Sequence, residues 1–351
     1  MTTYSDSGVD IEKGDDASKI MYEAAKSTWE NRKGKLGEVI TPFDDFSGVR
    51  VIDVSTLPEG TVMCMGFDGV GTKVEIAERI NKHDTIAHDL FAMVCDDAVI
   101  RGGEPVLLGS ILDVNKVDVS IIKQLAKGYV EAAKAANVAV INGEIAELGN
   151  RIGGFGDSNY NWGAGLIWFA KKDRMFTGFE IKEGDSIVTL KEEGFRSNGL
   201  SLVRKILVDS FGENWHEDRQ LAESILHPSK IYSSAIVEMF GGVENEPKAE
   251  IHGVAHITGG GVPGKLARIL KPSGLGAKLD NLFEPCKAMQ LLMEKGNVPK
   301  EEAYKTWNMG NGMLVVCSED QADKVIEIAK KHRIEAKVAG KVIKENEIIF
   351  P

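Results

Sequence analysis

The sequence predicts an α/β or α+β protein of two domains, and three observations lead there. Its 351 residues exceed what one ordinary hydrophobic core serves. Strand-like and helix-like apolar patterns interleave in both halves, which excludes an all-α or all-β chain. The pattern also restarts after Ala170, where Gly184-Asp185 leads into a fresh apolar run, so the division is set at 1–170 and 171–351.

The elements follow from periodicity. Residues 1 to about 50 read as loosely structured, with a polar start, a helix over Asp16 to Arg32, then glycines and Pro42. Thr61 to Met65 is a strand running into the glycine-rich turn Gly66 to Lys73, and Val74 to Ile80 has helical spacing. Asp84 to Arg101 predicts a helix through Ile86, Leu90, Met93, Val94 and Val99. Pro105 to Leu112 reads as a strand, Val119 to Ala136 as a helix and Val138 to Asn142 as a strand. Gly149 to Asn161 reads as a mobile loop, and Leu166 to Ala170 returns as a strand. In the second half, the strand Ser186 to Leu190, a glycine loop and the helix Leu200 to Val208 come first. Helices at Pro228 to Met239 and Pro263 to Leu270 follow. Strands Met313 to Cys317 and Ala336 to Ile343 flank a helix over Asp320 to His332.

Composition narrows the function. A hydrophobic content of 43% with 27% charged residues is that of a soluble globular protein. The net charge of −11 argues against nucleic acid or an anionic membrane as partner, since both need a basic face. Cys64, Cys95, Cys286 and Cys317 are widely spaced, without a Cys-x-x-Cys pair, and read as small buried thiols. The start lacks an apolar signal region and the chain lacks a long apolar run, so the expectation is a cytoplasmic protein.

The chemistry concentrates in three glycine-rich segments. Gly66-Phe67-Asp68-Gly69-Val70-Gly71-Thr72-Lys73 combines bare backbone N–H groups, a hard oxygen ligand for Mg²⁺ and a lysine for phosphate. Its order is neither that of a Walker loop nor of the dinucleotide fingerprint. A tight turn whose Asp68 caps the helix is the plainer alternative. Gly194 to Gly199 and His256 to Gly261 each precede a helix and suit a phosphate monoester, so a nucleotide in the first half and a sugar phosphate in the second are expected. Asp89 and Asp96 fall on one helical face beside Asp97, and Glu144 and Glu147 follow a strand, so these acids with Glu104 are metal candidates. His256 is the histidine best placed for a functional role.

These motifs resemble those of the aminoimidazole ribonucleotide synthetase (phosphoribosylformylglycinamidine cyclo-ligase) family. The matches include Gly8-Val9-Asp10-Ile11, Asp68 to Lys73, His83-Asp84-Thr85-Ile86, Glu104-Pro105, Gly143-Glu144, Ser197-Asn198-Gly199, Ile231-Tyr232, Thr258 to Gly261 and Asn308. The resemblance implies a two-domain fold with mixed sheets and flanking helices, and a homodimer with ATP near the subunit interface. It implies ATP-dependent ring closure of formylglycinamidine ribonucleotide: ATP phosphorylates the amide oxygen, and the neighbouring amidine nitrogen attacks and expels phosphate. The alternatives are a paralogue acting on another amide or carbonyl compound, or a nucleotide-binding partner protein without turnover. On this reading Gly69, Val70, Gly71, Thr72, Lys73, Asp89 and Glu144 hold ATP, while Asp68, Asp96 and Asp97 hold Mg²⁺. Ser197, Asn198, Gly199, Arg204, Thr258, Gly259, Gly260 and Gly261 hold the substrate, and Lys73, His256 and Arg196 act in catalysis. The chain departs from the family pattern where Ser5 replaces a lysine, Asp96 an asparagine and Arg196 a histidine, and at Asn161-Trp162. Arg196 is expected to offer its charge to substrate in place of the lysine missing at Ser5.

Overall fold

The computed structural model of the chain describes residues 11–41 and 48–350, so the expectations resting on Ser5 and on Gly8 to Asp10 lie outside the described residues. In the first half, α1 (Ile11–Ser27) runs into a 3-10 turn, Thr28–Arg32, and β1 (Val39–Ile40) pairs with β2 (Val51–Ile52). Then come β3 (Thr61–Gly69), α2 (Val74–Ile80), α3 (Ile86–Val99), β4 (Glu104–Val114), α4 (Val119–Ala136), β5 (Ala139–Glu147) and β6 (Tyr160–Lys171). The second half opens with β7 (Ser186–Lys191), α5 (Leu200–Phe211), α6 (Arg219–Ile225), α7 (Ser233–Phe240), β8 (Ile251–His256) and α8 (Gly261–Leu270). It closes with β9 (Gly276–Leu279), α9 (Lys287–Lys295), α10 (Lys300–Thr306), β10 (Asn311–Cys317), α11 (Ala322–Lys331), β11 (Ala336–Ile343) and β12 (Ile348–Ile349).

Local chemistry explains the clearest of these. Asp118 caps α4 by accepting from the Ser120 N–H at 2.9 Å, and Asn137 ends it in the left-handed region at φ 55°. Between them Ile121, Ile122, Leu125, Tyr129, Ala132 and Ala136 form the buried stripe. β10 is buried along its whole length and lies between β7 and β8, antiparallel to both, as a central strand must.

Two mixed sheets result. The first runs β3-β6-β4-β5, with β4 and β5 parallel and the other pairs antiparallel; the second runs β12-β9-β11-β7-β10-β8. Helix α3 packs on β3 and β6 on one side and on α7 and β8 on the other, so it carries its acids to the seam between the halves. Among the described residues, no helix is long and apolar enough to cross a membrane. All four thiols are free, with Cys64 exposed rather than buried.

Three expectations are corrected. Gly66 to Gly69 is not a loop: β3 continues through it, with Phe67 opposite Gly165 and Asp68 opposite Ala164. The turn begins only at Val70, which is fully buried. Gly69 is closely approached, since a Cβ there would lie 3.2 Å from the Trp162 carbonyl oxygen, while Gly66 has open space around it. Residues 11–40 are tied down rather than loose, because Trp29 Nε1 donates to the Val140 carbonyl at 2.7 Å and Arg32 pairs with Glu104 at 2.8 Å. The Gly149–Asn161 segment is anchored too: the Phe155 N–H donates to Glu78 at 2.9 Å and the Arg79 guanidinium lies 4.3 Å from the Phe155 ring centre.

Candidate functional site

Asp68 on β3 and Asp97 on the last turn of α3 form the open part of the site. Both side chains reach solvent, and Asp97 retains 52% of its side-chain exposure. Groove walls strip Asp68 of some hydration and push its carboxyl up, the Gly69 N–H at 2.7 Å opposes this, and the Asp97 charge raises it further. Burial would raise Asp97 as well, but the hydrogen bond from His256 and the charge of Lys265 oppose it and the carboxyl is held below the usual range. His256 ends β8; its Nδ1 lies 2.7 Å from Asp97 Oδ1. Alongside runs a groove of about 780 Å³, lined by Phe67, Asp68, Asn142, Glu144, Trp162 and others. Glu144 is exposed in that groove, and the Nε1–H of the fully buried Trp162 has no acceptor.

The residues expected to grip phosphates stand elsewhere. Lys73 is fully buried, donating to Asp89 at 2.7 Å and to the His227 carbonyl at 2.6 Å, so it does not face the groove. Asp89 is equally buried and takes the Ser229 N–H and hydroxyl as well, which removes it from the nucleotide list. Asp96 accepts from the Tyr232 and Ser233 N–H groups at 3.0 and 2.9 Å and from Arg196 at 2.8 Å, so it is a buried clamp on α7 rather than a metal ligand. The expectation that Arg196 meets substrate is corrected likewise: its guanidinium is enclosed, bonded to Asp96, to Glu192 at 2.8 Å and to the Lys230 carbonyl. Among the described residues, no cluster of three or more histidine, cysteine or acidic side chains forms a ready metal cage. Asp68 and Asp97 remain as a pair, which suits an ion bound mainly through phosphates.

The second-half loops are partly free. The Ser197 hydroxyl, the Asn198 Oδ1 and the Arg204 Nε are buried without partners, which is costly unless a ligand supplies them. Arg204 also pairs with Glu75. Gly199 adopts φ 72° against Trp307, where a Cβ would come within 2.5 Å of the indole. Thr258 is half-buried, while Gly259 and Gly260 are exposed. Gly261 is buried, and a Cβ there would collide with the Tyr304 carbonyl. Gly260 has open space around it but φ 95°, so backbone conformation rather than close approach explains it. Gly71 and Thr72 are exposed and Gly69 half-exposed at the end of β3.

Sequence reasoning missed Glu192, fully enclosed in the Arg196 cluster, and Lys265 on the first turns of α8. Burial and the nearby Arg268 pull the Lys265 ammonium down, while Asp97 and Asp68 draw it up. Its place just after the triple glycine was the available signal.

Comparison with known proteins matches this arrangement to one family. The family described as AIR synthase related protein matches over its N-terminal domain at residues 48–157 and its C-terminal domain at residues 182–350. A phosphoribosylformylglycinamidine cyclo-ligase of Pyrococcus furiosus is 34% identical, over 95% of this chain and 92% of that one. In fold, the chain resembles thiamine-monophosphate kinase from Stenotrophomonas maltophilia K279a, with TM-score 0.64, 12% identity and coverage of 93% and 95%. It also resembles the hydrogenase maturation protein HypE in complex with ATP, with TM-score 0.57, 14% identity and coverage of 87% and 82%.

Proposed function

The chain belongs to the AIR synthase related family, and from that premise we propose that it closes the imidazole ring of aminoimidazole ribonucleotide, using ATP, in purine biosynthesis. The end-to-end likeness to cyclo-ligases at 34% identity carries this reading. It is an ATP-dependent ligase. An amide oxygen leaves poorly until phosphorylated, and the attacking amidine nitrogen belongs to the same molecule, so the protein's main task is to align phosphoryl donor and amide.

We assign residues 1–170 to the nucleotide and 171–351 to the ribose phosphate. The groove beside β3 takes the nucleotide, with Gly69 and Glu144 in its lining and the exposed Gly71 and Thr72 following Gly69 in the chain. Asp68 and Asp97 would hold Mg²⁺, because two solvent-facing carboxylates raise each other's energy until a cation relieves them. Mg²⁺, when bound, adds positive charge to the phosphates. Lys265 supports the same charge from α8. Ser197, Asn198 and Arg204, whose buried polar atoms await partners, take the ribose phosphate with Thr258 and the glycines that follow it. Met63, Met65, Phe67 and Ile111 expose 52–74% of their surface on one sheet, an apolar face suited to a second copy of the chain, so we read the enzyme as a homodimer.

One preparation tests the reading. Purified protein with ATP, Mg²⁺ and formylglycinamidine ribonucleotide should release ADP and the aminoimidazole in equal amounts, and should sediment as a dimer. ADP formed only with another amide or carbonyl compound would point to a paralogue, and ATP binding without turnover to a partner protein.

A further inference from the structure

Arg196 is the most constrained charged residue of the seam. It is fully buried, and its backbone takes φ 57°, a conformation that costs a non-glycine residue on the order of 1 kcal/mol. Its Nη2 donates to Asp96 Oδ2 at 2.8 Å and also lies 2.7 Å from His256 Nε2. A guanidinium has only donors, so the imidazole nitrogen facing it has to accept and carries no proton. The ring proton therefore sits on Nδ1, 2.7 Å from Asp97 Oδ1, where it donates.

We propose that Arg196 is a positioning residue that fixes His256 as the Nδ1–H tautomer and through it holds Asp97 beside Asp68 at the groove's edge. The series starts at the N-terminus of α7, where the Tyr232 and Ser233 N–H groups hold Asp96 Oδ1. It runs through Asp96, Arg196 and His256 and returns to Asp97, the residue next to Asp96 on α3. Both ring nitrogens of His256 are engaged and its side chain is 1% exposed, so it is a positioning residue too, not the free acid or base that its place in the sequence suggested. One oxygen of Asp97 is committed to His256, which leaves Oδ2 for an ion beside Asp68. Arginine suits this position because its planar fork spans Asp96, Glu192 and His256 at once, which a compact ammonium cannot do. Only the purpose of holding Asp97 there rests on the cyclo-ligase reading; the tautomer does not.

The test begins with ¹⁵N-labelled protein without ligand. Long-range ¹H–¹⁵N correlation of the His256 ring should show a protonated Nδ1 and a bare Nε2. A proton on Nε2, alone or together with Nδ1, overturns the proposal. The variant Asp96→Asn/Glu192→Gln/Arg196→Leu removes the charged triad together, so that no ion is left buried alone. It should lose the single tautomer, and its affinity for Mn²⁺ in the presence of a non-hydrolysable ATP analogue should fall about 10- to 100-fold, the usual cost of losing a partner behind a metal ligand. A folded variant that keeps both the tautomer and the Mn²⁺ affinity reduces Arg196 to a structural tie. If that variant does not fold, Arg196→Lys carries the same comparison. Absence of aminoimidazole product with the Nδ1–H tautomer intact would sink the cyclo-ligase reading and leave the tautomer assignment standing.

Discussion

The seam between the halves and the groove beside β3 use the same residue types to opposite ends. In the seam Lys73, Asp89, Asp96, Glu192 and Arg196 are buried and bonded to one another or to backbone. In the groove Asp68 and Glu144 reach solvent, as does Asp97 beside it, and Lys265 stands half-buried near Asp68 and Asp97. Formal charge in the sequence is thus a poor guide to charge on offer: cations with a carboxylate at 2.7–2.8 Å hold the protein together, while the acids beside β3 face solvent.

The sharpest break of this contrast is Lys73→Ala. It leaves Asp89 buried without its cation and should cost about 3–5 kcal/mol of stability. Urea unfolding measures it; a loss well under 1 kcal/mol would mean that Lys73 is not a structural ion. His83 gives the next largest effect. It is 1% exposed, bonded through Nδ1 to the Tyr160 hydroxyl at 3.0 Å, and burial pulls its imidazole down to about 4. Below pH 6.5 the unfolded chain takes up a proton that the folded chain refuses until about pH 4. Stability should therefore fall by up to about 3 kcal/mol across that window, and His83→Gln should flatten the profile. On the groove side, Lys265→Met should leave the unfolding midpoint unchanged and weaken Mg²⁺–ATP binding by about fivefold, the value of a partly screened charge near 1 kcal/mol. Calorimetric titration reads that last effect, and a stability loss without a binding loss would move Lys265 to the structural side.

Legibility followed the range of the interactions. α4 was readable to the residue, because its cap Asp118, its apolar stripe and Asn137 are all local. β11 was equally plain from Ala336 to Ile343. β8 was missed since Ile251 to His256 holds two histidines and a glycine, and all six residues are buried, so no alternation marks it. β3 was cut short at Met65 because glycines suggest a turn, whereas here Gly66 and Gly69 continue an edge strand paired with β6 as far as Gly163. Within the site, Asp68 and Asp97 could be named from their neighbours in sequence. The fate of Lys73 and Arg196 could not, because it depends on His227, Asp96 and His256, which lie 154, 100 and 60 positions away.

The clamp on α3 has a consequence for synthesis. Asp89 and Asp96 meet Ser229 and Tyr232 only 140 and 136 residues further along the chain. As the polypeptide leaves the ribosome, the first sheet and its helix emerge with Asp96 destined for burial and nothing yet to receive it, and with Asp89 held by Lys73 alone. The first half is thus held from completing its packing until α7 arrives, and a fragment ending at Lys171 should be a poor folder however complete its sheet.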